Sequence, residues 1–382
     1  MSDQPAVSTV KSSIAERLFA IDALRGFTMA LTMALDHSNY FIAQQHPFGE
    51  YWGGKMPVYP NALAAFTRMV GLPGAPAFYF LMGVSMMLMA HSRLRKGWSK
   101  QRLIRYFVLR GFLLMALQFL VANPAWNIVA GEKTSAIYFG ALYGLGGAMI
   151  IGSLLIWLKP WHLILLTAML FVGTEIYLPG PQAWREAFNP LERLLLVPGG
   201  GSVIWVSFPI LPWLAFVTLG MAFGFGVTHD PKRTFRWCIP TGIAMIAAFA
   251  GVRYLDGFGN LRPIQGDSLV DFFNLVKYPP SIVLGLLAMG ANLIFLGLLY
   301  YSPGWFRRLS QPIIVFGQTP LQFYLAHLYL YGVIGLLVAP QGASLPVTYF
   351  WWIVGLIILY PVCYWYRKFK YRQPAESLWR LF

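Results

Sequence analysis

Two histidines stand in apolar segments of membrane length: His37 in RLFAIDALRGFTMALTMALDHSNY (17–40) and His327 in GQTPLQFYLAHLYLYG (317–332). Imidazole both takes and gives a proton near neutral pH, so each is a candidate general base. Asp36 directly precedes His37 and points about 100° away round a helix, where it can bind a substrate group or orient His37 through a neighbouring helix. Nearer the start of the same segment, Asp22 and Arg25 are one turn apart and suited to pair, with Arg17 before them. Guanidinium forks match phosphate oxygens, so Arg17 and Arg25 are candidates to meet an anionic cofactor. Each ionisable group in hydrocarbon costs on the order of 2.5 to 3.5 kcal/mol, which makes a protein interior or wet cavity the expected setting. The structural alternatives are a plain ion pair, a polar helix end among headgroups, and a satisfied network around Gln318, Gln322, Tyr324, His327 and Tyr331.

The segment that must position these groups is helical. Asp22, Arg25, Met29, Met33, Asp36 and His37 fall within a sector of roughly 120° and can line one groove. His37 follows Arg25 by a rise of roughly 18 Å, which puts the two at opposite membrane faces. Three proline-bearing stretches, GLPGAP (71–76), FPILPW (208–213) with Trp213, and KYPPS (277–281) with Lys277, start or break spans. Such breaks expose backbone to a cavity or simply mark helix starts. Arg110 adds a base to the third span and Glu175 an acid to the fifth; His46, in the loop after the first span, is either a site residue or an ordinary surface histidine.

Composition agrees with a membrane setting. The chain is 57% hydrophobic and 11% charged, with a mean hydropathy of +0.57, outside the soluble globular range. Apolar runs predict ten helices near 18–42, 74–92, 103–122, 136–158, 161–178, 203–228, 235–252, 281–301, 312–338 and 347–366, an all-α polytopic membrane protein. The net charge of +15 resides in short loops between spans, where it sets orientation and does not imply nucleic acid. The loop HSRLRKGWSKQRLIR (91–105) is the anchor of the cytoplasmic side; alternation from it places both termini there. Residues 1–16 then form a cytoplasmic tail, 17–366 a single transmembrane domain and 367–382 a basic tail, with loops 43–73, 179–202 and 253–280 opposite. No HExxH, GxSxG, P-loop or Rossmann pattern occurs, so no metal is expected.

The ordered motifs resemble a known family. RLFAIDALRGF, DHSNYF, FTRMVGLPGAPAFYFLMGVS, LRGFLL, FPILPW, KYPPS and GQTPLQFYLAH are similar to the bacterial relatives of heparan-alpha-glucosaminide N-acetyltransferase, grouped with the wider transmembrane acyltransferases. The resemblance implies an acyltransferase of the cytoplasmic (inner) membrane. It would take an acyl group from acetyl-CoA or another acyl-CoA inside and pass it to an amino sugar or other glycan outside. His37 then corresponds to the helix-end histidine of the pattern, although in the lysosomal enzyme the position at Asp36 is asparagine and the active histidine lies nearer His46. His37, Asp36 and His327 are accordingly the catalytic candidates, and Arg17, Asp22, Arg25, Arg105, Arg110 and Lys277 the cofactor-binding ones. His46, Tyr324, Gln322 and Trp213 are the candidates for the acceptor. Membrane lipid is the other partner and a homodimer is compatible. A transporter or flippase of an anionic glycan or lipid-linked sugar uses the same residue types and stays open as the alternative.

Overall fold

The computed structural model describes residues 19–44, 50–53, 56–128, 137–181, 183, 188–374, 377 and 379. Helix α1 covers 19–41, and its centre, Thr28–Met33, is wound as a π-helix. Two threonines mark the widened turn, Thr28 Oγ1 donating to the Leu24 carbonyl at 2.8 Å and Thr32 Oγ1 to the Thr28 carbonyl at 2.5 Å. The Ala30 carbonyl accepts from Trp352 Nε1 at 2.8 Å. A tryptophan from the last long helix therefore satisfies backbone polarity at the irregular turn, as π-bulges at functional positions require.

The chain continues through α2 (Ala62–Gly71), α3 (Gly74–Leu94), α4 (Lys100–Leu117), β1 (Ile137–Phe139), α5 (Ala141–Leu155), α6 (Pro160–Tyr177), α7 (Pro190–Leu195), β2 (Gly199–Gly200) and β3 (Ile204–Val206). It ends with α8 (Ile210–His229), α9 (Pro231–Arg236), α10 (Cys238–Leu255), α11 (Leu269–Phe272), α12 (Ile282–Tyr300), α13 (Gly304–Leu309), α14 (Gln311–Gln318), α15 (Pro320–Val338) and α16 (Leu345–Arg372). Among the described residues, eight helices are long and apolar enough to cross a membrane, and α5 is a shorter apolar helix. With α1 they make an all-α, multi-pass membrane protein.

Four details differ from the sequence expectation. Residues 312–338 are two helices, because Pro320 lacks the N–H that a continuous helix would need. The stretches expected to begin the fourth and sixth spans instead supply β1 and β3, which pair in parallel with Ile137 opposite Ile204, while β2 runs antiparallel to β3. The expected loop 43–73 contains α2, capped by the Asn61 side chain on the Ala64 N–H. The last helix runs on to Arg372, so residues 367–372 are structured, and Arg367 Nη1 donates to Gln318 Oε1 at 3.1 Å.

Close backbone contact fixes α1 against α14. A side chain at Gly317 would collide with the Asp22 carbonyl, and one at Gly26 with the Ile313 carbonyl. This approach lets the Gly317 carbonyl accept from Arg25 Nη1 at 3.0 Å.

At the opposite end, Arg253 stitches the 256–274 loop. It is 1% exposed and donates to the carbonyls of Phe272, Asp271 and Asn274 and to Asn260 Oδ1 at 2.7–3.1 Å. Glu175 accepts from the Gly259 and Leu261 amides, so this acid secures the same loop and not the groove. Arg253→Met strands several carbonyls at roughly 1 to 3 kcal/mol each. The expected result is much faster limited proteolysis between residues 256 and 274, with the helices left intact; an unchanged cleavage rate would sink this role.

Candidate functional site

His37 and His327 meet across α1 and α15. His37 Nδ1 lies 2.6 Å from His327 Nε2, and the rings are stacked at 4.8 Å and 12°. His327 Nδ1 lies 3.0 Å from the Phe323 carbonyl. A carbonyl only accepts, so in a neutral ring that nitrogen carries the proton and Nε2 is a lone pair. His37 Nδ1 must then donate to it, which leaves the lone pair of neutral His37 on Nε2. Trp126 packs edge-on against the His37 ring at 4.9 Å and Tyr324 at 6.2 Å, and with His327 fully buried the imidazole is held at a fixed angle.

This pair stands beside a cavity of about 450 Å³, whose walls include Asp36, His37, Tyr40, Tyr51, Arg68, Trp126, Tyr138, Trp205, Lys277, Tyr278 and Tyr324. The wall is aromatic with a few fixed polar groups, the usual make-up of a small-ligand site. Tyr51 Oη accepts from Trp205 Nε1 at 3.0 Å and lies 2.5 Å from Ser207 Oγ. Burial pushes the Tyr51 phenol up to about 12, so it is a neutral donor at physiological pH. The backbone of 50–52 is laced to 277–278: Lys277 N and Tyr278 N donate to the Glu50 carbonyl at 2.9 and 3.1 Å, and Trp52 N to the Tyr278 carbonyl at 2.8 Å.

One wall carries four charges. Arg68 donates to Asp36 through Nη1 and to Glu50 Oε1 through Nε at 2.5 Å, and its Nη2 stands 2.5 Å from Glu50 Oε2 as an ion pair. Lys277 Nζ stands 3.7 Å from Asp36 and 3.8 Å from Glu50. Two acids meet two bases, so the set is electrically balanced, and a buried network of this kind is tolerated only when balanced.

A second cavity, of about 380 Å³, lies along the other half of α1. Arg25, Arg93, Arg110 and Lys370 line it together with Met29, Met33, Met82, Met86, Met89 and Met149. Met33, Ala75, Ala141 and Tyr324 border both cavities, so the two spaces abut across a thin partition. Arg25 donates to Asp22 and to Ser85 Oγ, both at 3.0 Å, and Gln318 Nε2 to Asp22 at 3.2 Å. Arg110 Nη1 reaches only Tyr106 Oη, at 3.4 Å, and its buried Nε has no hydrogen-bond partner among the described residues.

A family model described as heparan-alpha-glucosaminide N-acetyltransferase, catalytic, matches residues 17–258. The chain belongs to this family. Its curated relatives include the enzyme of that name from Mus musculus, 30% identical over 114 residues (30% of this chain, 15% of the relative), and that from Homo sapiens, 26% identical over 203 residues (47% and 28%). The matched stretches are thus a minor part of those longer proteins. Within this family member, Asp36, His37, Glu50 and Arg68 lie inside the family match, whereas Lys277, Tyr278, Tyr324 and His327 lie beyond it. The three-dimensional site is therefore completed by the part of the chain that the match does not reach.

The remaining sequence candidates are distributed as follows. Lys277 stands in the His37 cavity and not beside Arg25, because the 277–278 backbone is tied to the Glu50 carbonyl. Arg105 is exposed on α4 and borders neither cavity, being on the opposite face from Arg110. Trp213 is fully buried behind the first cavity, against Tyr79 and Phe208, and Gln322 borders neither space. Arg17 and His46 lie outside the described residues. Sequence reasoning passed over Arg68, Glu50, Arg93 and Lys370 as site groups. The signal for Arg68 was available, a lone base in the apolar run Ala62–Gly71, but its assignment to a loop hid it.

Proposed function

We propose that the chain is an integral membrane acyltransferase of the inner membrane. In this reading an acyl-CoA enters the Arg25 cavity from the cytoplasm and its acyl group passes to an amino sugar or glycan in the His37 cavity. The observation that carries the reading is the abutment of a cation-lined cavity and an aromatic one, with His37 lining the latter against Tyr324, which borders both. The basic loop 91–105 adjoins the Arg25 end, which agrees with a cytoplasmic donor side.

Arg93, Arg110 and Lys370 supply charge for the phosphates, and the methionine wall accommodates a flexible apolar arm. On the acceptor side, His37 Nε2 removes the proton as the acceptor nitrogen or hydroxyl oxygen bonds to the thioester carbon. The carbon–sulfur bond breaks, and the thiolate leaving group takes a proton from the imidazolium or from solvent. His327 holds His37 in the tautomer that this step needs. The same Nε2 can instead carry the acyl group transiently, which burst kinetics would reveal.

The direct test is thermal unfolding of the detergent-solubilised protein with CoA, acetyl-CoA and longer acyl-CoAs, together with acyl transfer to a panel of amino sugars. The reading expects saturable stabilisation, since a ligand at a hundred times its Kd adds about 2.7 kcal/mol. Arg110→Ala is expected to weaken it roughly ten-fold, the value of one charged hydrogen-bonding contact. Absence of stabilisation by any acyl-CoA would move the assignment to a transporter.

A further inference from the structure

A second group of cations stands apart from both cavities, where α8 turns into α9 and packs against α12. A surface recess of about 740 Å³ is lined by Asp230, Lys232, Arg233, Arg236, Tyr300, Tyr301 and Arg307. The recess is built on a fixed floor. Phe235 and Tyr300 are stacked at 4.2 Å and 6°, and Arg307 is held by donating to the Tyr300 and Ser302 carbonyls at 2.9 and 3.0 Å, with its guanidinium over the Phe19 ring. The one acid is already used: Asp230 Oδ1 accepts from the Arg233 amide at 3.0 Å and caps α9.

The side chains of Lys232, Arg233 and Arg236 make no hydrogen bond or ion pair with the described residues, and all three are exposed. Among the described residues, Lys232, Arg233 and Arg236 therefore face one recess beside Arg307, and the carboxylate that lines it caps α9. Like charges gathered on one surface raise its positive potential and favour a bound anion.

The surroundings say which anion. Tyr301, at 57% exposure, lines the recess, and two exposed tryptophans are its sequence neighbours, Trp237 directly after Arg236 and Trp305 two residues before Arg307, at 54% and 66%. Exposed tryptophan and tyrosine at the ends of spanning helices mark the headgroup level of the bilayer. A soluble anion would meet no need for these rings, whereas a lipid places its phosphate among the cations and its chains against the indoles. Basic pockets between spanning helices are the known physical form of such recognition.

We propose that this recess binds the headgroup phosphate of an anionic phospholipid, with Arg233 and Arg236 as its forks, Lys232 as a point charge and Arg307 as the fixed anchor. The site uses none of the residues of the two cavities, so it stands or falls independently of the acyltransferase reading.

The test uses full-length protein in nanodiscs and in detergent. Native mass spectrometry and thermal unfolding would be followed with phosphatidylglycerol or cardiolipin, with phosphatidylcholine, and with inorganic phosphate. Expected are retained anionic-lipid adducts and saturable stabilisation that phosphatidylcholine and inorganic phosphate do not reproduce. The R233A/R236A variant, altered only at exposed side chains, should keep its lipid-free unfolding temperature and bind the anionic lipid roughly 25-fold more weakly, about five-fold for each cation removed. Equal binding by variant and parent overturns the proposal, as does equal stabilisation by phosphatidylcholine. Stabilisation by inorganic phosphate with no preference for lipid would overturn it too, in favour of a soluble phosphate ligand.

Discussion

His37→Ala is expected to lower acyl transfer by roughly 10² to 10⁴-fold, the range in which a positioned general base contributes, while leaving stabilisation by acyl-CoA in place. Of the two paired imidazoles, His327 spends Nδ1 on the Phe323 carbonyl and Nε2 on His37, so it has no nitrogen left for a substrate. His37 spends only Nδ1, and it is the one of the pair that lines the cavity. Removing it leaves buried His327 Nε2 without a donor, at a cost of about 1 to 3 kcal/mol. His37→Gln, which keeps a donor near that nitrogen, separates the two effects: it should recover most of the lost unfolding temperature and none of the lost turnover. Undiminished turnover in either variant removes His37 from the mechanism. His327→Ala should show a smaller loss of kcat with a displaced pH profile, because His327 acts on His37 and not on the acceptor.

How far the sequence foretold this site depends on the range of the interactions involved. The long apolar runs with their basic loops led directly to a polytopic helical protein, because length and hydropathy are local quantities. The groove along α1 was legible in part, since Arg25, Met29, Met33, Asp36 and His37 line the two cavities while Asp22, expected with them, borders neither. Their shared face survives the π-helical turn at Thr28–Met33, which periodicity could not foresee because it arises from threonine side chains and a distant tryptophan. Pairings between remote positions were not legible: His37 with His327, or Asp36 with Arg68 and Lys277. Single residues with plausible chemistry were found, but their partners depend on how α2 and the 277–278 segment fold back. Lys277 shows the cost. Read as an isolated base in a proline-bearing stretch it suited a phosphate, but its backbone tie to Glu50 commits it to the opposite cavity.

Arg68→Met is expected to be the most destabilising single substitution in the site, by roughly 3 to 5 kcal/mol, read as a lower unfolding temperature of the solubilised protein. Breaking a buried charge network on one side leaves uncompensated charge, and that penalty, more than the worth of the pair itself, sets the magnitude. Asp36 and Glu50 would be left to Lys277 alone, whose ammonium is 3.7 and 3.8 Å from them, beyond good hydrogen-bond reach. Methionine fills much of the volume of the arginine stem, so the loss would report charge and not packing. The companion variant makes this decisive. Glu50→Gln added to Arg68→Met restores neutrality between Asp36 and Lys277 and should return part of the lost stability, giving a coupling of about 0.5 to 3 kcal/mol in a double-mutant cycle. Additive losses would mean that water, not Arg68, neutralises the two carboxylates. The activity readout distinguishes scaffold from chemistry. If the network only positions the 50–52 and 277–278 segments around the acceptor, the double variant should regain KM along with stability. If Arg68 itself holds the acceptor, stability should return while KM stays raised.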